Sequence, residues 1–167
     1  MTLPRTPSFR LDGRRALVAG ASSGIGAACA VALAEQGAEV TLCARRGTEL
    51  AALAAEMTAA GMRARTLTLD ITDLTATEAA LAALPAYDVL VNSAGIARHS
   101  PAIETRPEDF DLAANLNFRA AYFLTRTVAA RLIAEGKTGS LINISSQMAH
   151  VGGIDRGVFP AVNMRKR

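Results

Sequence analysis

The sequence predicts an α/β fold, a doubly wound parallel sheet with helices on both faces. Short β-rich runs alternate with longer helical runs, the first two helical runs stop at glycines, and one strand candidate, Val89-Leu90-Val91-Asn92, is an almost unbroken apolar run. Parallel neighbours need a helical crossover, and strands buried on both faces read as continuous apolar stretches. The chain of 167 residues has room for one domain with a real core. No internal repeat, low-complexity stretch or long linker interrupts it.

The first strand reads Ala16-Leu17-Val18-Ala19 and runs into Gly20. A helix of small residues follows from about Ile25 to Gln36, and Gly37 marks its end. The second strand is Glu39 to Cys43, and the second helix runs from about Thr48 to Ala60, stopping at Gly61. Ala64 to Leu69 is the third strand, closed by Asp70; a shorter helix covers Thr75 to Leu84 before the fourth strand. The longest helix is expected to start near Thr105, which has the spacing of a capping box with Glu108, and to end near Gly136. The fifth strand is Leu141 to Ser145.

Composition excludes several classes of function. Lys and Arg number 18 against 15 Asp and Glu, so the net charge of +3 defines no partner. Aromatics are 4% and do not interleave with basic clusters, which argues against nucleic acid. Cys29, Cys43, His99 and His150 show no metal-ligand spacing, and both cysteines read as small buried hydrophobes. The longest wholly apolar run, Ala27 to Ala34, is far below the roughly 20 residues of a membrane span. The N-terminal MTLPRTPSFRLDGRR carries no apolar signal region. The expectation is a cytoplasmic chain with no metal and no membrane partner, residues 1–10 forming an N-terminal extension.

Chemistry is expected first at the turn after strand one, Gly20-Ala21-Ser22-Ser23-Gly24-Ile25-Gly26. Glycines let a chain turn tightly and let a dinucleotide approach the backbone, while the helix N-terminus beyond presents free amides to a pyrophosphate. The strand before and the helix after raise this cluster above an ordinary turn. Where strand two ends, an NAD site usually carries a carboxylate for the ribose hydroxyls; here the sequence is Cys43-Ala44-Arg45-Arg46. Without an acid to repel a 2′-phosphate, and with Arg45 offering a planar charged fork, NADP is favoured over NAD. The plainer reading leaves Arg45 and Arg46 as surface charges of a loop.

The G-x-x-x-G-x-G spacing resembles the short-chain dehydrogenase/reductase family, and further motifs agree in order from about Leu11 to Val158. Asn92-Ser93-Ala94-Gly95 resembles the family's N-N-A-G signature, with Ser93 in place of the second asparagine. Asp70, followed by Ile71, resembles the acid used near the adenine. Asn117 matches the catalytic asparagine of the long helix, and Ser146, in Ile142-Asn143-Ile144-Ser145-Ser146, matches the catalytic serine. Taken singly, Asn92, Asn117 and the serines could equally be structural polar groups. The resemblance implies a Rossmann domain over 11–158 and hydride transfer between NADP(H) and a small carbonyl or alcohol substrate. It implies cofactor contacts from Gly20, Ser22, Ser23, Gly24, Ile25, Gly26, Arg45, Asp70, Ile71, Asn92, Ala94 and Gly95, and a homo-oligomer.

The family pattern then breaks. Its proton-transferring tyrosine is expected thirteen residues beyond the serine and its lysine four further, where this chain has Phe159 and Asn163. Tyr87 and Tyr122 have no lysine four residues on. Pro160 is ill placed in a helix, and residues 159–167 read as a tail foreign to the family. The expectation is a fold incomplete on its C-terminal side, with strand five at a sheet edge. The function expected is that of a truncated reductase of very low activity, an NADP-binding pseudoenzyme, or an unstable gene remnant.

Overall fold

The computed structural model describes residues 8–151 and 154–158. The expectations for Phe159, Asn163 and the 159–167 tail lie outside the described residues.

The strands β1 (Arg15–Ala19), β2 (Glu39–Ala44), β3 (Arg63–Thr68), β4 (Val89–Asn92) and β5 (Ser140–Asn143) form one sheet in the order β3-β2-β1-β4-β5, with every pairing parallel. Val18 of β1 sits between Leu42 of β2 and Val91 of β4. Successive side chains of a strand point to opposite faces. On one face Ala16, Val18, Val40, Leu42 and Val91 pack against Ala30 and Ala34 of α1 (Gly24–Glu35) and Leu50 and Met57 of α2 (Gly47–Ala59). On the other, Leu17, Ala19, Cys43 and Leu90 meet Leu81 of α3 (Leu74–Ala82) and Leu124, Val128 and Leu132 of α5 (Ala121–Ala134). The chain winds outward from β1 to β3, then crosses to the other side of β1 as β4. That reversal opens a crevice at the carboxyl ends of β1 and β4, where ligands of such sheets bind.

The long helix differs from its expected form. Its first segment, α4 (Pro107–Ala114), starts two residues after Thr105, with Arg106 at the cap position and no side-chain capping bond. Pro107 is suited to a first helical position, since its missing N–H would be unpaired there anyway. The Thr105 hydroxyl instead donates to the Pro101 carbonyl at 3.2 Å, closing the preceding turn, so the capping box does not form. Between α4 and α5 the helix widens into a π-helical turn, Asn115–Ala120. Strand β5 also ends earlier, at Asn143, not Ser145. Its partner β4 stops at Asn92, so beyond the Ile144 amide bond to the Asn92 carbonyl (2.9 Å) β4 offers no further strand residue.

Candidate nucleotide-binding site

The carboxyl ends of β1 to β4 enclose an open cleft of about 400 Å³. Its walls include Gly20, Ser22, Ser23, Ile25, Arg45, Asp70, Ile71, Ala94 and Gly95, so most residues proposed from sequence meet in one place. Two glycines make the floor possible. Gly20 has φ +81°, and a Cβ on it would lie 2.7 Å from the Ala94 amide nitrogen, so only glycine lets the loops after β1 and β4 touch. A Cβ on Gly26 would overlap the Gly20 carbonyl, which fixes how closely α1 follows the turn.

Ser23 stands at the cap position of α1, yet its hydroxyl makes no capping bond. It accepts from the Arg46 guanidinium at 2.7 Å, and the Ser22 hydroxyl accepts from the same group at 2.8 Å. The first-turn amides of α1 are therefore left without a side-chain cap, and the helix dipole adds a positive end. Arg45 turns the other way, 3.9 Å from Asp70. Burial works to raise the Asp70 carboxyl, but the Thr72 amide and hydroxyl and the Arg45 charge hold it below the ordinary carboxylate value. The Cys43 thiol in the wall is pushed up to about 12 by burial, so it remains a neutral apolar group.

Other sequence-proposed residues lie behind the cleft. Asn92 is fully buried and does not line it: its carboxamide accepts from the Ala94 amide and donates to Asn143, holding the β4 loop from beneath. Its side chain supports the backbone at Ala94. Gly24 and Gly26 likewise shape the turn without lining the cleft. Asn117, in the π-turn, accepts from the Ile96 amide at 2.8 Å and donates to the Ile96 carbonyl at 2.7 Å. Its side chain is committed to the β4 loop, and π-turns recur at functional sites. Ser146, outside the cleft walls, opens a short turn (Gln147–Ala149) and accepts from the Met148 amide at 3.2 Å.

Arg46, read from sequence only as a possible surface charge, is the residue sequence reasoning missed. Its position between the end of β2 and the start of α2 was visible; that parallel pairing of β1 with β2 puts it opposite Ser22 was not. Among the described residues no group of His, Cys, Asp and Glu could hold a metal ion.

The family model for short chain dehydrogenase matches residues 14–162. The chain is 38% identical to D-erythrulose reductase of Gallus gallus over 153 residues, covering 92% of this chain and 61% of that protein. It is 36% identical to 2-dehydro-3-deoxy-D-gluconate 5-dehydrogenase of Dickeya dadantii, covering 88% and 59%. The solved structure of a gluconate 5-dehydrogenase from Burkholderia cenocepacia in complex with NADP and tartrate superposes with a TM-score of 0.88 at 33% identity, covering 94% of this chain and 63% of that one. This chain belongs to the short-chain dehydrogenase/reductase family, whose members named here are oxidoreductases. It spans about three fifths of the length of the curated relatives it matches.

Proposed function

We propose that the chain binds NADP(H) in this cleft and represents the cofactor-binding part of an oxidoreductase acting between a carbonyl and an alcohol, with very low turnover of its own. The observation that carries the reading is the ribose end of the cleft, where Ala44, Arg45 and Arg46 stand in place of an acid. Two guanidinium groups and two serine hydroxyls suit a phosphorylated ribose, and the uncapped start of α1 suits a pyrophosphate. Gly20, Ser22, Ser23 and Ile25 would hold the phosphates, Asp70 and Ile71 the adenine, and Ala94 and Gly95 the far ribose. When bound, the nicotinamide supplies or accepts a hydride. The names of the relatives support a small polyhydroxylated ketone or sugar acid as substrate.

At the positions where the family resemblance calls for a proton-transferring tyrosine and its lysine, the sequence has Phe159 and Asn163. Phe159 has no hydroxyl and Asn163 no charge, and loss of general acid catalysis typically costs roughly 10²- to 10⁴-fold in rate. That substitution favours a second reading, a nucleotide-binding pseudoenzyme. Titration of the purified chain with NADPH and NADH by nicotinamide fluorescence tests the first claim: NADPH is expected to bind more tightly, and tighter binding of NADH overturns it. Carbonyl-dependent NADPH oxidation tests the second. Ready turnover by the unmodified chain sinks the low-activity reading, whereas activity gained only in the pair Phe159→Tyr with Asn163→Lys supports it.

A further inference from the structure

Asparagine is depleted in β-strands, because its side chain competes for backbone groups. Yet β4 and β5 both end on one, and Asn92 and Asn143 are directly paired across the parallel ladder. Side chains at paired positions share a face, here that of Leu90 and Leu141. Asn143 does not line the cleft.

The two carboxamides are joined with a fixed polarity. The Ala94 amide can only donate, so it takes Asn92 Oδ1, at 3.2 Å. That turns Asn92 Nδ2, which can also only donate, toward β5, where Asn143 Oδ1 accepts at 3.2 Å. The Thr125 hydroxyl adds a longer contact to the same oxygen, 3.4 Å, while its shorter bond, 2.8 Å, goes to the Ala121 carbonyl. Asn92 is fully buried, so losing that acceptor would leave its amide group without a partner in the interior.

We infer that Asn143 is a positioning residue for the cofactor: as the acceptor that fixes Asn92, it holds Ala94 and Gly95 at the wall of the cleft. This rests on the NADP(H) reading above and adds to it a residue that acts from behind the cleft. With no acceptor at 143, the Asn92 amide group has to turn toward another, and the oxygen facing Ala94 is given up. Ala94 has little slack to absorb this, since a Cβ on Gly20 would lie only 2.7 Å from its nitrogen. What position 143 must supply is an acceptor of this shape, which separates positioning from mere packing. Asn143→Asp keeps the shape and the acceptor, whereas Asn143→Leu keeps the bulk and loses the acceptor.

The test is calorimetric titration of the full chain with NADPH and with 2′,5′-ADP, which lacks the nicotinamide and its ribose. Asn143→Leu is expected to weaken NADPH about threefold to tenfold, the size of one hydrogen bond. It should leave 2′,5′-ADP nearly unchanged, because Ala94 and Gly95 stand at the far ribose. Asn143→Asp should stay within about twofold of the parent chain for both ligands. In an Asn92→Ala background, Asn143→Leu should cost no further NADPH affinity, since the group it fixes is gone. A cooperative melt above the titration temperature shows that each variant is folded; should Asn143→Leu fail that check, Asn143→Ala carries the same expectations. No effect of Asn143→Leu on NADPH, equal weakening of both ligands, or a loss from Asn143→Asp as large as that from Asn143→Leu overturns the assignment while leaving the NADP(H) reading intact. A parent chain that binds neither ligand ends that reading and the assignment with it.

Discussion

The two edges of the sheet are built differently. On β3, which reads Arg-Ala-Arg-Thr-Leu-Thr, both charged side chains are tied down: Arg65 donates to Thr41 at 2.8 Å and lies near Glu39, and Arg63 donates to the Gly37 carbonyl at 2.6 Å. Charged side chains are a usual means of keeping an edge from pairing with another chain. β5 has none. It reads Ser-Leu-Ile-Asn, and Ile142 is 46% exposed. The β3 edge carries two arginines, whereas β5 carries no charge. The cleft is lined from the carboxyl ends of β1, β2 and β4 and from the loop after β3, and no residue of β5 lines it.

The largest expected effect strikes where the two sides meet. Gly20→Val should cost about 3 kcal/mol or more and abolish NADPH binding, because a β-branched residue at this φ is strained and its Cβ collides with the Ala94 amide. Chemical denaturation and fluorescence titration measure both. Next, Arg65→Ala should cost about 1–2 kcal/mol by removing a donor from buried Thr41 and the packed stem of the arginine. Ile142→Lys on the opposite edge should change stability by less than about 0.5 kcal/mol and reduce concentration-dependent association seen by light scattering. An Ile142→Lys penalty equal to that of Arg65→Ala would erase the distinction between the edges.

Smaller effects follow from titration. Burial works to raise the Asp88 carboxyl, but the Arg15 amide and the Arg14 guanidinium hold it below its ordinary value. A lowered folded-state pKa gives stability that is present above the unfolded value, about 4, and is lost as pH falls through the folded one. Asp88→Asn should therefore flatten the acid limb of the stability curve. The Cys43 thiol, neutral because burial raises it to about 12, should resist alkylation at neutral pH until the chain unfolds, while half-buried Cys29 reacts first. Alkylation of Cys43 in the folded protein would show that the cleft wall opens.

Local signals carried far into the fold. Alternating apolar runs placed all five strands, and Gly37 and Gly61 do lie just past α1 and α2, because helix termination and strand burial depend on neighbouring residues. The Thr105–Glu108 spacing does not form a capping box because Pro107 takes the first helical position, and sequence spacing does not say which competitor prevails. Most of the cleft was legible as the glycine turn, the arginines after β2 and Asp70, since these belong to continuous motifs at strand ends.

What the sequence by itself determined is the order of elements, the turn that only glycines can make, and the identity of every group available to a nucleotide. Tertiary structure decided which of those groups face the cleft. It turned Asn92 and Asn117 inward to bind backbone, sent Arg45 to Asp70, and set Arg46 against Ser22 and Ser23. The reason is physical: a side chain's hydrogen-bond partner depends on which strands lie side by side, and residues 22 and 46 become neighbours only when β1 and β2 pair in parallel.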